Sequence, residues 1–177
     1  MTARKGLPQP PSRAAGLRLR GEDAEDLAVI SACLQDALVA VRDLAYDRDA
    51  HLFTMVANRF RWESDGGDGR FERTLCALAF DTVEEVVYRG FRRSEEDRIL
   101  SLLVIQSLPA TSADGAASAT RGTAAPRTTA SGAVIELEFA DGAAIRLAAG
   151  GIRCRARDVG EPWPTVWQPR HPLDLAG

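Results

Sequence analysis

The sequence predicts an α+β fold: a mostly antiparallel, strongly curved sheet or split barrel of about eight or nine strands, with one N-terminal helix packed on it. Two observations carry this prediction. Between Leu38 and Ala156, apolar and polar residues alternate in a series of short segments, the period of strands with one buried face. One segment near the N-terminus instead repeats its apolar residues every three or four positions, the period of a helix.

The N-terminal elements follow from this change of period. Leu17 and Leu19 alternate with arginines and predict a short strand. Asp23 can cap the helix that follows, and Asp26 adds negative charge to its first turn. The apolar residues at helical spacing are Leu27, Ile30, Leu34 and Leu38. A helix is therefore predicted over residues 24–36, with this stripe buried against the sheet.

The remaining strands are predicted from alternation and from turn residues. They run over residues 39–46, 51–62, 71–80, 83–91, 99–106, 133–139 and 144–147, and residues 152–156 form an edge strand or an extended segment. The strand at 99–106 is nearly all apolar, which predicts a central strand covered on both faces. Residues 160–177 hold four prolines, so no regular element is expected there.

The organisation of the 177 residues predicts one domain over residues 16–171. Residues 1–15 are polar and proline-rich and are expected to be a disordered tail, and residues 172–177 form a second tail. Residues 108–132 are mostly alanine, threonine, serine and glycine. They are expected to form a flexible, exposed insert between two strands that can still pair, because the cost of closing a loop grows slowly with its length.

Composition and charge exclude several functional classes. A net charge of −3 argues against a bulk binder of nucleic acid or of anionic membranes, and leaves a local basic face open. The sequence shows neither a secretory signal nor an apolar run long enough to span a bilayer, and its three cysteines follow no disulfide pattern. We therefore expect a cytoplasmic protein. The two histidines lie far apart in the sequence, and we predict neither a metal nor a cofactor.

Arginines at alternating positions are the first candidate site. They fall in two predicted strands: Arg59 and Arg61 in one, and Arg153, Arg155 and Arg157 in the other. Phe60 and Trp62 take the opposite face of the first strand. If the two strands are neighbours, five guanidinium groups can cluster and bind phosphate, nucleic acid or an acidic partner. The alternative is an ordinary solvated face that Glu63 and Asp158 neutralise.

Two tryptophans in a proline-rich stretch, Trp163 and Trp167, are the second candidate site. One interpretation is an extended aromatic strip on which a partner docks. The other is a C-terminal clasp whose indole rings fill the core, since exposed tryptophan is costly in a soluble chain.

Three segments of the chain resemble a bacterial family of unknown function, the one numbered 2948. They are Gly16–Ser31, with its Gly-Leu-Arg-Leu-Arg-Gly-Glu-Asp start, Asn58–Glu63, and Gly160–Pro164. The resemblance extends from about Gly16 to His171, although the insert at 108–132 looks longer than the family pattern. It implies no activity, substrate or cofactor, and it draws attention to Arg59, Arg61, Trp62 and Trp163.

The sequence favours a non-catalytic binding or adaptor domain over an enzyme. Its partner is expected to be an acidic protein or a phosphate-bearing ligand. It is not expected to bind a membrane. The predicted binding residues are Arg59, Arg61, Trp62, Arg153, Arg155, Trp163 and Trp167. An RNA-associated protein is an alternative that requires a contiguous basic patch with exposed aromatic residues beside it. An enzyme whose polar groups converge only in three dimensions is a further alternative.

Overall fold

The computed structural model describes residues 16–64, 71–109 and 132–166. Within these ranges the chain forms one α-helix, ten β-strands and three single turns of 3₁₀ helix. The elements are β1 (Arg18–Gly21), α1 (Ala24–Leu34), β2 (Leu38–Ala40), a 3₁₀ turn (Val41–Asp43), β3 (Leu44–Asp47), β4 (Leu52–Phe60), a 3₁₀ turn (Trp62–Ser64), β5 (Phe71–Phe80), β6 (Val83–Arg89), β7 (Ile99–Leu108), β8 (Ala133–Phe139), a 3₁₀ turn (Ala140–Gly142), β9 (Ala144–Ala149) and β10 (Cys154–Thr165).

The strands form one antiparallel sheet in the order β1-β10-β5-β4-β2-β7-β8-β9-β6, with β3 paired to β4 beside this path. Hairpins connect β3 to β4 and β8 to β9, as the turn residues predict. The sheet is not closed, since β1 and β6 stand at opposite ends of the strand order. The α+β class and the antiparallel sheet are confirmed, and the count of eight or nine strands is slightly low. The strongly curved sheet or split barrel stays a prediction at that level of detail.

Helix α1 begins as its cap predicts. The Asp23 side chain accepts a hydrogen bond from the Asp26 backbone N–H at 2.9 Å, and the Asp26 carboxylate accepts one from the Glu22 N–H at 3.0 Å. Of the predicted stripe, Leu27, Ile30 and Leu34 are fully buried, which confirms that this helix covers the sheet. Leu38 instead belongs to β2 and is exposed. The helix ends two residues earlier than predicted, because Asp36 adopts a left-handed backbone conformation with φ 60°.

One buried core joins the helix to the inward faces of strands from both ends of the strand order. Its large members include Phe53 of β4 and Phe80 of β5, whose ring centroids lie 6.2 Å apart, and Phe139 of β8. Gly21 sits where β1, β10 and α1 approach most closely: a Cβ there would lie 2.7 Å from the Cys154 Sγ and 3.2 Å from the Ile30 Cδ1. The helix, β1 and β10 are therefore held together as one packed corner.

Three expectations for individual strands require correction. The strand predicted over 39–46 is broken into β2 and β3 by a 3₁₀ turn. Strand β7 is central in the sheet, yet Ile99 and Leu103 are exposed, so its outer face is only partly covered. Strand β10 continues to Thr165, although four prolines after residue 160 predicted no regular element. Two of those prolines, Pro162 and Pro164, lie in β10. The strand tolerates them because β1 pairs only with residues up to Arg157, which leaves the rest of β10 at an edge where proline costs no ladder hydrogen bond.

Most of the insert predicted at 108–132, and the tails predicted at 1–15 and 172–177, lie outside the described residues. The strands that flank the insert do pair with each other, since Leu108 at the end of β7 lies opposite Val134 at the start of β8. This confirms the expectation that the two strands can join across it.

The packing of α1 generates a prediction for stability. Ile30→Ala should lower the free energy of unfolding by about 2–5 kcal/mol, because it leaves a cavity between the helix and the sheet. Urea denaturation followed by circular dichroism measures this change. Val29→Ala is the matched control, since Val29 is exposed on the same helix and its truncation should cost little. Equal losses for the two variants would contradict the packing described here.

Candidate binding surface and buried charge network

Arg59, predicted to belong either to an arginine cluster or to an ordinary solvated face, is instead buried. Arg59, near the end of β4, has a side-chain exposure of 0%, and its guanidinium group lies between two carboxylates. Its Nε and Nη2 donate to the two oxygens of Asp158 of β10 at 2.8 and 2.7 Å. Its Nη1 and Nη2 donate to the two oxygens of Glu63 at 3.1 and 2.6 Å. Two bidentate ion pairs therefore share one cation.

All five N–H donors of this guanidinium group are engaged. Nη1 also contacts the backbone carbonyl of Phe60, at 3.3 Å, which accounts for the donor that the carboxylates leave over. Asp158 in turn accepts a hydrogen bond from the Leu17 backbone N–H at 2.8 Å, and its own N–H donates to the Leu17 carbonyl. The network joins the segment before β1, the end of β4 and the middle of β10.

The hydrogen bonds between Arg59 and Glu63 favour the charged forms of both side chains. Burial alone lowers the pKa of Arg59, but its hydrogen bonds to Asp158 and Glu63 outweigh this and raise it. Burial raises the pKa of Glu63, and the hydrogen bonds from Arg59 outweigh that effect, so this pKa lies below its ordinary value of 4.5. At neutral pH Arg59 and Glu63 are therefore both ionised.

Arg61 belongs to the same end of the sheet and is also buried, with 4% of its side chain exposed. Its Nη1 donates to Glu72 of β5 at 2.6 Å, and its Nε lies 3.5 Å from Glu63. Beside it, Gly16, Thr74, Asp158 and the Gly160–Pro162 turn line a small cavity of about 200 Å³. The three segments that carry the family resemblance thus meet here.

The predicted cluster of five arginines does not form, and the expected exposure of Arg59 and Arg61 is wrong. Arg59 follows Phe53, Met55 and Ala57 on the inward face of β4, so its side chain enters the core. Strand β5 also separates β4 from β10, and Arg59 and Arg155 lie beside opposite ends of β5, at Thr74 and Ala79. The proposed neutralisation by Glu63 and Asp158 is confirmed, inside the protein.

A different set of arginines shares the solvent-facing side of the sheet. Arg153, Arg155 and Arg157 alternate with buried Cys154 and Ala156 and are exposed, as the alternation predicts. Strand β1 adds Arg18 directly opposite Arg157 and Arg20 directly opposite Arg155. We call the four paired residues the arginine strip: Arg18, Arg20, Arg155 and Arg157. Sequence reasoning missed the first two, because only the pairing of β1 with β10 places them there.

The arginine strip has few carboxylates beside it. Arg155 pairs with Asp81 at 2.8 Å, while Arg18, Arg20 and Arg157 have no ion pair within the described part of the chain. Asp158, next to Arg157 in sequence, points to the other side of β10 and is taken by Arg59. Glu22 and Asp81 lie with Arg20 and Arg155 around a neighbouring depression. Four positive charges therefore face solvent, and one of the four, Arg155, has an ion-pair partner in the described part of the chain.

The exposed tryptophans lie at the other end of the strands from the arginine strip, since Trp163 pairs with Arg73 and Arg155 with Ala79 of β5. Trp62 and Trp163 are 39% and 37% exposed, so Trp163 does not fill the core as the clasp interpretation requires. The Trp62 ring lies 4.5 Å from that of Phe60, which is buried. Trp167 lies outside the described residues.

The buried network generates a second stability prediction. Arg59→Met should lower the free energy of unfolding by about 3–5 kcal/mol, because it leaves two carboxylates close together without their cation. Arg157→Met is the matched control on an exposed position and should change stability by less than about 0.5 kcal/mol. Chemical denaturation of both variants at pH 7 makes the comparison, and a loss below 1 kcal/mol for Arg59→Met would contradict the network's role.

The lowered pKa of Glu63 predicts how stability depends on pH. Since the pKa is lower in the folded protein, the ionised carboxylate contributes stability above the ordinary value of 4.5, and this contribution is lost as the pH falls through the folded value. Glu63→Gln should therefore be less stable than the parent at pH 7, and its stability should decline less as the pH falls below 4.5. Urea denaturation at pH 7, 5, 4 and 3 tests this. Parallel pH profiles would count against it.

Comparison with known proteins identifies a family and nothing more specific. No curated protein and no solved structure matches the chain. In the described ranges, no helix has the length and apolar character needed to cross a membrane. A family model described as a protein of unknown function, DUF2948, matches residues 17–171, close to the extent inferred from the three segments. The chain therefore belongs to the DUF2948 family of proteins of unknown function.

Proposed function

We propose that this chain is a non-catalytic binding module whose arginine strip takes a phosphate-bearing ligand. The observation that carries the proposal is the register of β1 and β10, which places Arg18 opposite Arg157 and Arg20 opposite Arg155 on solvent. Like charges directly opposite each other on a sheet are destabilising. A bound polyanion relieves that repulsion and turns it into binding free energy.

Protection of a sheet edge is the structural alternative, and it explains only half of the strip. Charged residues on edge strands prevent association between sheets, and β1 is an edge strand. Arg155 and Arg157, however, lie on β10 where β1 covers it, so they protect no edge. Their exposure on the face of the sheet is better accounted for by a ligand than by edge protection.

The shape of the strip suits a phosphate group. The four arginines and Ala77 of β5 line a depression of about 500 Å³. The small side chain of Ala77 leaves the space between the guanidinium groups open. Guanidinium groups bind phosphate oxygens bidentately, and several of them around one depression can contact the same anion.

The expected location in the cytoplasm accords with the state of the cysteines. Cys33, Cys76 and Cys154 are all free thiols, which is usual in a reducing compartment. Burial raises the pKa of Cys76 to about 12 and that of Cys154 to about 11, so these thiols stay protonated and unreactive at neutral pH.

Isothermal titration calorimetry with tripolyphosphate as the ligand tests the proposed function. We expect saturable binding that the double variant Arg18→Gln/Arg157→Gln weakens at least about tenfold, since it removes one cross-strand pair. The matched control, Arg48→Gln/Arg92→Gln, removes the same charge from exposed positions elsewhere and should change the affinity less than about twofold. Absence of saturable binding, or equal losses in both double variants, would overturn the proposal.

A further inference from the structure

The arginine strip and the exposed tryptophans lie on one continuous face of the sheet. On β5, residues 73, 75, 77 and 79 alternate onto the same side. Their partners on β10 are Trp163, Val159, Arg157 and Arg155, in that order. Residues directly opposite each other point to the same side of a sheet. The face therefore passes from arginines, through an apolar middle, to tryptophan.

The dimensions of this face fit an extended chain of several units. From Ala79 to Arg73 it runs six residues along β5, about 20 Å at the usual rise of a strand. Arg155 and Arg157 stand two positions apart on one face, about 7 Å. That spacing is close to the distance between successive phosphates of an extended nucleic-acid strand.

The far end of the face offers flat aromatic surface. Arg73 of β5 lies between Phe60 of β4 and Trp163 of β10. Phe60 is itself buried, so the exposed rings here are those of Trp163 and of Trp62, which packs on Phe60. The middle of the face is apolar, since Leu75 and Val159 lie opposite each other and are both exposed. Exposed rings on a sheet are surfaces on which unstacked bases can stack.

We propose that this face binds single-stranded nucleic acid, with phosphates on the arginine strip and bases on Trp163 and Trp62. This proposal rests on the proposed phosphate-binding function and specifies single-stranded nucleic acid as the phosphate-bearing ligand. A duplex is a poor fit, because its bases are already stacked on one another and cannot stack on the exposed rings. The net charge of −3 does not oppose it, because Asp158, the carboxylate next to Arg157 in sequence, is bound by Arg59 on the other side of β10, and only Arg155 of the strip has an ion-pair partner within the described ranges.

An acidic protein is the competing partner, and the edge of β10 argues against its commonest mode of docking. A peptide that adds a strand to a sheet requires a free row of backbone donors. Beyond Arg157 the free edge of β10 contains Pro162 and Pro164, which lack an N–H group, and the register shifts between Val159 and Trp163. The part of β10 beyond Arg157 is therefore a poor edge for an added strand.

Fluorescence anisotropy with labelled oligonucleotides of about eight nucleotides tests the proposal, a length within the usual range for single-strand binders. Single-stranded RNA or DNA should bind more tightly than the matching duplex. Trp163→Leu, which keeps apolar area but removes the ring, should weaken single-strand binding roughly 5- to 100-fold. Trp163→Phe restores a ring and should recover most of the affinity. Thermal melting confirms that each variant is folded.

Tripolyphosphate and polyglutamate separate this proposal from the proposed function. Tripolyphosphate should bind the parent and Trp163→Leu equally, because the phosphate contacts lie on the arginine strip. If tripolyphosphate binds but Trp163→Leu leaves oligonucleotide affinity unchanged, the phosphate site stands and the nucleic-acid proposal fails. Tighter binding of polyglutamate than of the oligonucleotide would overturn the proposal in favour of an acidic protein. If neither phosphate probe binds, the proposed function fails as well.

Discussion

The buried guanidinium group of Arg59 is the interaction on which this corner of the structure depends. A charge without solvent is tolerated only when its donors are satisfied and its charge is balanced. Asp158 and Glu63 do both, and Asp158 also holds the chain before β1 through two hydrogen bonds with Leu17. Because β1 reaches the sheet only through β10, the position of Asp158 fixes where β1 lies. The register that places Arg18 opposite Arg157 follows from it.

The same network accounts for the charge left on the surface. Successive residues of a strand point to opposite sides, so Asp158 faces the core and Arg157 faces solvent. Asp158 therefore pairs with Arg59 in the interior and cannot pair with Arg157, its neighbour in sequence. The chain as a whole is acidic, yet the arginine strip is basic, because Asp158 is bound to Arg59 and Arg155 is the one strip residue with an ion-pair partner among the described residues. Net charge therefore says little about the partners of a sheet whose two faces differ this much.

Local signals in the sequence predicted the local structure and failed where distant segments meet. The cap at Asp23 and the stripe through Ile30 predict α1, because capping and helical periodicity are patterns among residues close in sequence. The burial of Arg59 was also readable: strict alternation from Phe53 places it on the apolar face, and the preference of arginine for solvent obscured this. The pairing of β1 with β10 joins Leu17 to Asp158 across 141 positions, and no pattern within either segment specifies it. The arginine strip exists only through that pairing.

Strand β10 shows how stability and binding can be separated in one element. Its inward residues, Cys154, Ala156 and Asp158, pack in the core or bind Arg59, while Arg155, Arg157 and Trp163 face solvent. Substitutions on the inward side act on folding, because they remove buried contacts or leave a buried charge unpaired. Substitutions on the outward side remove exposed charges or a partly exposed ring, so the fold can tolerate changes that alter what the face binds. The buried network thus fixes the position of β10, while the outward residues of β10 can change without loss of the fold.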